Sequence, residues 1–257
     1  MRPHVARKRF GQHFLVDRQI IADIVELLAV QPGDHVVEIG PGLGALTRPL
    51  LQRLDHLQVV EIDRDIVARL RREYSPGKLT IHAGDALLFD FGHLASGAGL
   101  RIVGNLPYNI STPLLFHLAS FGSSVRDMHF MLQKEVVERM VAAPGSGEFG
   151  RLSVMLQYRF VMERLLDVPP ESFDPPPKVE SAVVRLVPRA AADLSARDER
   201  QFATLVSTAF AQRRKMLRNS LRGLVEDSHL EGLGLAPSCR AEELSVDDYI
   251  LLANSLK

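Results

Sequence analysis

Val36-Val37-Glu38-Ile39-Gly40-Pro41-Gly42-Leu43-Gly44 is the stretch that decides the fold. A short β-type run passes through three alternating glycines into a helical pattern from Ala45 to Leu54, which is how a βα unit opens. The same unit recurs downstream. Leu57 to Asp63 predicts a second strand, Asp65 to Tyr74 a helix, Leu79 to His82 a third strand ending near Asp85, and Leu100 to Gly104 a fourth. Thr112 to Ala119 is predicted helical, Met128 to Leu132 a strand and Lys134 to Val141 a helix. Strands alternating with helices imply a parallel α/β sheet with right-handed crossovers and helices on both faces.

Upstream, apolar residues at 20, 21, 24, 25, 27 and 28 have helical spacing, with Asp17 as N-cap, and Gln31-Pro32-Gly33-Asp34 ends that helix. The preceding sixteen residues form a basic, polar arm. Downstream, the proline-rich run from Val168 to Pro177 is incompatible with central sheet or helix. Val183 to Val187 predicts a late strand, antiparallel and at the sheet edge. Beyond Pro188 only helical patterns remain, broken at Gly223 and between Gly232 and Pro237. The expected organisation is therefore an α/β domain over residues 1–190 and a small all-helical domain over 191–257.

The 257 residues, 46% hydrophobic and 24% charged, can bury a substantial core and exclude a disordered chain. The formal net charge is zero, so partners are to be sought in local charge clusters. Cys239 is the single cysteine and no Cys/His pair has zinc spacing, so neither a disulfide nor a metal is expected. No apolar stretch suits a signal peptide or a membrane span, which predicts a soluble, cytoplasmic protein without a membrane partner.

In open α/β sheets ligands bind beyond the carboxyl ends of the strands. Gly40, Gly42 and Gly44 sit in the first such loop, where backbone lacking Cβ atoms can approach a ligand closely. Glu61 ends the next strand about 20 residues on, where a carboxylate grips ribose hydroxyls. Asp85 ends the third, where an oxygen can accept from a nucleobase amine. These three strand ends predict an adenosine-type cofactor site. A nicotinamide cofactor and S-adenosylmethionine both fit, although G-x-G-x-G departs from the pyrophosphate pattern.

Asn105-Leu106-Pro107-Tyr108 follows the fourth strand into the same crevice. Proline fixes its own φ and restricts Leu106, which suits a rigid loop with outward carbonyls. The Asn105 side-chain oxygen and the Pro107 carbonyl are two acceptors suited to an amine such as adenine N6, whose lone pair is delocalised into the ring. Accepting both N–H groups favours a pyramidal, more nucleophilic nitrogen, and Tyr108 offers a face for stacking. No strong base is required, because the proton leaves after nitrogen becomes cationic. An Asx-type turn with a buried tyrosine is the competing structural explanation.

The chain resembles the KsgA-type small-subunit ribosomal RNA adenine N6,N6-dimethyltransferases. The resemblance rests on Arg9 through Leu15, Val37 through Thr47, Val60 through Asp63, Gly84-Asp85-Ala86, Gly104 through Ser111, Phe173 through Leu186 and Ala209 through Lys215. It implies a Rossmann-like class I methyltransferase using S-adenosylmethionine, yielding S-adenosylhomocysteine, with cofactor contacts from His13, Leu15, Gly40, Glu61, Asp85 and Asn105. His13 departs from the asparagine found in many relatives. The resemblance further implies Asn105, Pro107, Tyr108 and Phe173 as the catalytic residues, with Phe173 sandwiching an adenine against Tyr108; a core-filling phenylalanine is the alternative for Phe173. The implied substrate is two adjacent adenines in the 3′-terminal hairpin loop of 16S rRNA, within an immature small subunit, for a monomeric enzyme.

Two basic clusters, Arg7-Lys8-Arg9 and Arg213-Arg214-Lys215 with Arg218 and Arg222, are the candidate RNA contacts. On a helix, Arg214, Arg218 and Arg222 would form one cationic stripe. Three readings compete: a large-subunit 23S rRNA adenine methyltransferase, a non-catalytic ribosome-assembly factor, and a nicotinamide-dependent oxidoreductase.

Overall fold

The computed structural model describes residues 13–95, 97, 99–212 and 214–256. The elements in chain order are β1 (Phe14–Leu15), α1 (Arg18–Leu28), β2 (Val36–Ile39), α2 (Thr47–Arg53), β3 (Leu57–Glu61), α3 (Arg64–Glu73), β4 (Leu79–Ala83), β5 (Leu100–Asn105), α4 (Ser111–Ala119), β6 (Val125–Gln133) and α5 (Lys134–Val141). Then follow α6 (Arg151–Arg159), β7 (Phe160–Val168), β8 (Phe173–Asp174), β9 (Ser181–Pro188), α7 (Glu199–Phe210), α8 (Leu217–Ser220), α9 (Asp227–Gly232) and α10 (Val246–Ser255).

Seven strands form one sheet in the order β4-β3-β2-β5-β6-β9-β7. The pairs β3/β4, β2/β3, β2/β5 and β5/β6 are parallel, and β6/β9 is antiparallel. Strand order reverses between β2 and β5, so their carboxyl ends flank the crevice where such sheets bind ligands. The late strand is antiparallel as expected but lies inside the sheet. The edge belongs to β7, because Ala182, Val183, Val184 and Leu186 of β9 are all buried, which an edge strand would not require.

Alternation along the strands supplies two apolar faces. Val36, Val59, Val103, Met131 and Val183 pack with Ile24, Val25 and Leu28 of α1, Leu50 of α2 and Ile66 and Leu70 of α3. The intervening Val37, Ile102, Phe130 and Val184 are equally buried, as a doubly covered parallel sheet demands. Asp17 caps α1, accepting from the amides of Gln19 and Ile20 at 2.8 and 3.2 Å.

The chain divides into two compact units. One comprises the residues up to Val137 with Met162–Pro188, and the other Glu138–Val161 with the residues from Arg189 onward. The division near residue 188 is thus accompanied by a second crossing at 138–161, which a single cut at 190/191 misses. The cause is apolar. Phe149, Val154 and Tyr158 share a core with Phe202, Leu205, Leu217, Leu221 and Tyr249, and the Tyr158 and Phe202 rings lie 4.7 Å apart.

Candidate active site

The carboxyl ends of β2 to β5 and the β1 segment line an open cavity of about 180 Å³. Gly40, Gly42 and Gly44 adopt φ of +67°, +54° and +85°, the left-handed region that side chains with a Cβ avoid. A Cβ on Gly42 would also sit 3.2 Å from the Phe14 ring, so glycine lets the β1 segment close over the loop. Gly104 meets a harder constraint, since a Cβ there would lie 2.6 Å from the Ile39 carbonyl oxygen. Only glycine allows β5 to run beside β2 and deliver Asn105 to the cavity.

Glu61 lines the cavity and is almost fully buried. Burial pushes its carboxyl above the ordinary range, while backbone amides of Asp63 and Gly42 counteract that push; the Asp63 bond is 2.8 Å. The glycine loop and the strand-end carboxylate therefore hold one another in place. Asp85 lines the cavity too, and its Oδ1 accepts from the Leu87 amide at 2.9 Å in an Asx turn. Leu15 is buried and also lines the cavity.

Glu38 belongs to this wall as well, although the strand pattern presented it only as one residue of the Val-Val-Glu-Ile run. Burial raises its carboxyl to about 7; the buried Thr47 hydroxyl, donating at 2.6 Å, lowers it, and the nearby Glu61 raises it further. A charged residue in an otherwise apolar central strand was the signal available for it.

Asn105 donates its amide N–H to the His13 carbonyl at 3.0 Å. A carbonyl can only accept, so the amide nitrogen must face it and the Asn105 oxygen is left as an acceptor. The Pro107 carbonyl already accepts from the Ile110 amide at 3.2 Å, so one of its two lone-pair directions is committed to the turn that starts α4. Tyr108 is half-buried; its phenol meets the Ser181 hydroxyl at 2.8 Å, and the His13 ring stacks on it at 5.7 Å and 23°. His13 Nδ1 is 2.8 Å from the Pro175 carbonyl. The His13 side chain thus faces Tyr108 and the proline loop, while its backbone serves Asn105.

Phe173 is buried in β8. β8 pairs with β1, Leu15 against Phe173 and Phe14 against Asp174, and this register turns the Phe173 ring into the core at 3% exposure. The cationic stripe is not helical. α7 ends at Phe210, the chain turns, and Met216 bridges Arg240 before α8 begins. Arg214, Lys215, Arg218 and Arg222 are nevertheless all exposed, with Arg218 3.6 Å from Asp227. Arg7, Lys8, Arg9 and Arg213 lie outside the described residues.

A strand-order switch point, a glycine loop, strand-end carboxylates and an Asn-x-Pro-Tyr segment in one cavity define an S-adenosylmethionine-dependent class I methyltransferase. The family model for ribosomal RNA adenine dimethylase matches residues 3–257. The chain belongs to the ribosomal RNA adenine dimethylase family. It is similar to proteins called ribosomal RNA small subunit methyltransferase A. One is from Dechloromonas aromatica, 60% identical over the full length of both chains, and another from Thiobacillus denitrificans, 65% identical over 96% of each. Among solved structures it resembles a dimethyladenosine transferase from Plasmodium falciparum, with TM-score 0.79, 27% identity and coverage of 93% and 96% of the two chains. It also resembles the 23S rRNA methyltransferase ErmE, with TM-score 0.72, 25% identity and coverage of 95% and 99%.

Proposed function

We propose that this enzyme dimethylates N6 of two adjacent adenines in the 3′-terminal hairpin loop of 16S rRNA, acting as a cytoplasmic monomer on an immature small subunit. The observation that carries the chemistry is the Asn105 amide, whose nitrogen donates to the His13 carbonyl and whose oxygen is thereby oriented to accept an amine hydrogen. The substrate follows from relatives about 60% identical that are named for the small subunit, against 25% for a large-subunit enzyme of the same fold. Fold alone does not separate the two substrates.

S-adenosylmethionine, when bound, supplies a sulfonium methyl group. Glu61 would take the ribose hydroxyls, Asp85 the adenine amine, and Glu38 a cationic amino group. Gly40, Leu15 and the His13 backbone complete the wall. Asn105 and the remaining lone pair of Pro107 accept from the target amine while Tyr108 stacks on the base. With S-adenosylmethionine bound, the amine lone pair would take the methyl as its bond to sulfur breaks, and the amine proton would then be lost to water. Rate comes from alignment and from acceptors fixed beforehand. Loop adenines are readily splayed out, so little unpairing is required.

Glu61→Ala is expected to weaken S-adenosylmethionine binding by roughly tenfold to a hundredfold, the range of a charge-assisted hydrogen bond. Calorimetric titration checks this, and unchanged affinity would remove Glu61 from the site. Because burial raises the Glu61 carboxyl, wild-type affinity should begin to fall, as the pH drops, above the ordinary carboxylate range. The exposed cations predict a salt effect: replacing Arg214 and Arg222 with glutamine should lower the slope of log K against log salt by about one to two. An unchanged slope would take them out of the RNA interface. The proposal itself is tested by supplying labelled methyl donor with each isolated ribosomal subunit. Label is expected on the small subunit, and label confined to the large one would overturn the substrate assignment.

A further inference from the structure

Tyr108 sits on the connection between β5 and α4, and a stacking platform works only if its ring is held still. Its backbone carbonyl accepts from the Ser111 hydroxyl at 3.1 Å, which fixes the chain but leaves the ring free to swing. Two contacts from elsewhere restrain the ring: the His13 stack on one face, and the Ser181 hydroxyl 2.8 Å from the phenol oxygen. Ser181 is fully buried and opens β9, paired with Gln133 of β6. The next residue of β6's continuation anchors the same point: the Lys134 amide donates to the Glu180 carbonyl at 3.0 Å, and the Lys134 ammonium pairs with the Glu180 carboxylate at 2.6 Å. The hydroxyl that meets Tyr108 is therefore mounted on the sheet itself, not on a loop.

We propose that Ser181 is a positioning residue for methyl transfer. It tethers the Tyr108 ring at its outer end so that the face not covered by His13 stays presented to the target base. Ser181 touches neither the reacting amine nor the methyl donor, and its effect passes through Tyr108. The inference rests on the methyl-transfer function proposed above.

The test is a double-mutant cycle of Ser181→Ala and Tyr108→Phe, with methyl transfer measured on undermethylated small subunits. Each single substitution should lower kcat roughly threefold to tenfold, the equivalent of one net hydrogen bond, with KM for S-adenosylmethionine unchanged. The double variant should be no slower than the slower single one, because both remove the same bond. Multiplied losses in the double variant, or full kcat in Ser181→Ala, would overturn the tether. A parallel rise in the KM for S-adenosylmethionine would also overturn it, marking a general loosening of the site. A second readout needs no substrate and so separates this inference from the parent function. With ring-labelled tyrosine, of which the chain has four, Ser181→Ala should shift or broaden the Tyr108 ring signal in the magnetic resonance spectrum. An unperturbed Tyr108 signal would overturn the tether even in a protein that methylates nothing.

Discussion

An Asn105→Ala variant is expected to lose a hundredfold or more in kcat for methyl transfer while binding RNA nearly as tightly as the unsubstituted protein. The size follows from losing an acceptor that is fixed in place before the reaction, which in enzymes costs about a hundredfold to a thousandfold. Two things disappear together. The Asn105 oxygen no longer accepts from the amine, and the His13 carbonyl loses the 3.0 Å donor that ties the β1 segment to the end of β5. Cofactor affinity should fall less than kcat, because Glu61, Asp85 and the glycine loop remain. Single-turnover kinetics with a filter-binding assay separate these effects. Full activity in the variant would remove Asn105 from the chemistry, and a loss confined to RNA affinity would give it a binding role only.

Arg101→Met is expected to destabilise the fold by about 3–5 kcal/mol, the usual result of leaving buried carboxylates without their partner. Arg101 lies near the amino end of β5, far along the strand from Asn105, and is 5% exposed. Its guanidinium meets Asp127 at 2.9 and 3.0 Å, Asp34 at 2.8 Å and the Leu28 carbonyl at 2.7 Å. Burial alone would raise Asp34, but the Gln31 amide and Arg101 outweigh it and hold the carboxyl below its ordinary value. A carboxyl lowered on folding contributes stability above its unfolded value, and that contribution is lost as pH falls through the folded one. The variant should therefore show a weaker loss of stability on the acid side, below about pH 4. Urea denaturation across pH measures both effects; a change under 1 kcal/mol would show that the network carries little stability. The folded fraction should keep its S-adenosylmethionine affinity, since the network lies at the other end of the strands from the cavity.

What could be read from sequence was whatever is local in the chain. The β2 run, its glycines and Glu61 lie within about 25 residues and encode a strand, a tight turn and a strand end directly. Asp17 capping α1 and the bounds of α5 were equally local signals. The burial of Phe173 was not readable, because a two-residue strand has no periodicity and its pairing with Leu15 joins residues far apart in the chain. The spacing of Arg214, Arg218 and Arg222 imitated a helix face, whereas the Met216–Arg240 bridge and the burial of Leu217, Leu221 and Val225 set the true path. The membership of residues 138–161 in the second unit is likewise a matter of distant contacts, carried by Phe149, Val154 and Tyr158. At the site, Asn105 and Tyr108 were legible as residue types. Their restraints from His13 and Ser181, 92 and 73 residues away, were not.

The most direct test of the central claim is to incubate the enzyme and S-adenosylmethionine with undermethylated small subunits and map the modified adenines. The expected product is N6,N6-dimethyladenosine at two adjacent positions in the 3′-terminal hairpin loop of 16S rRNA, absent with the Asn105→Ala variant. Unmodified adenines there, with methyl groups elsewhere or on 23S rRNA alone, would contradict it.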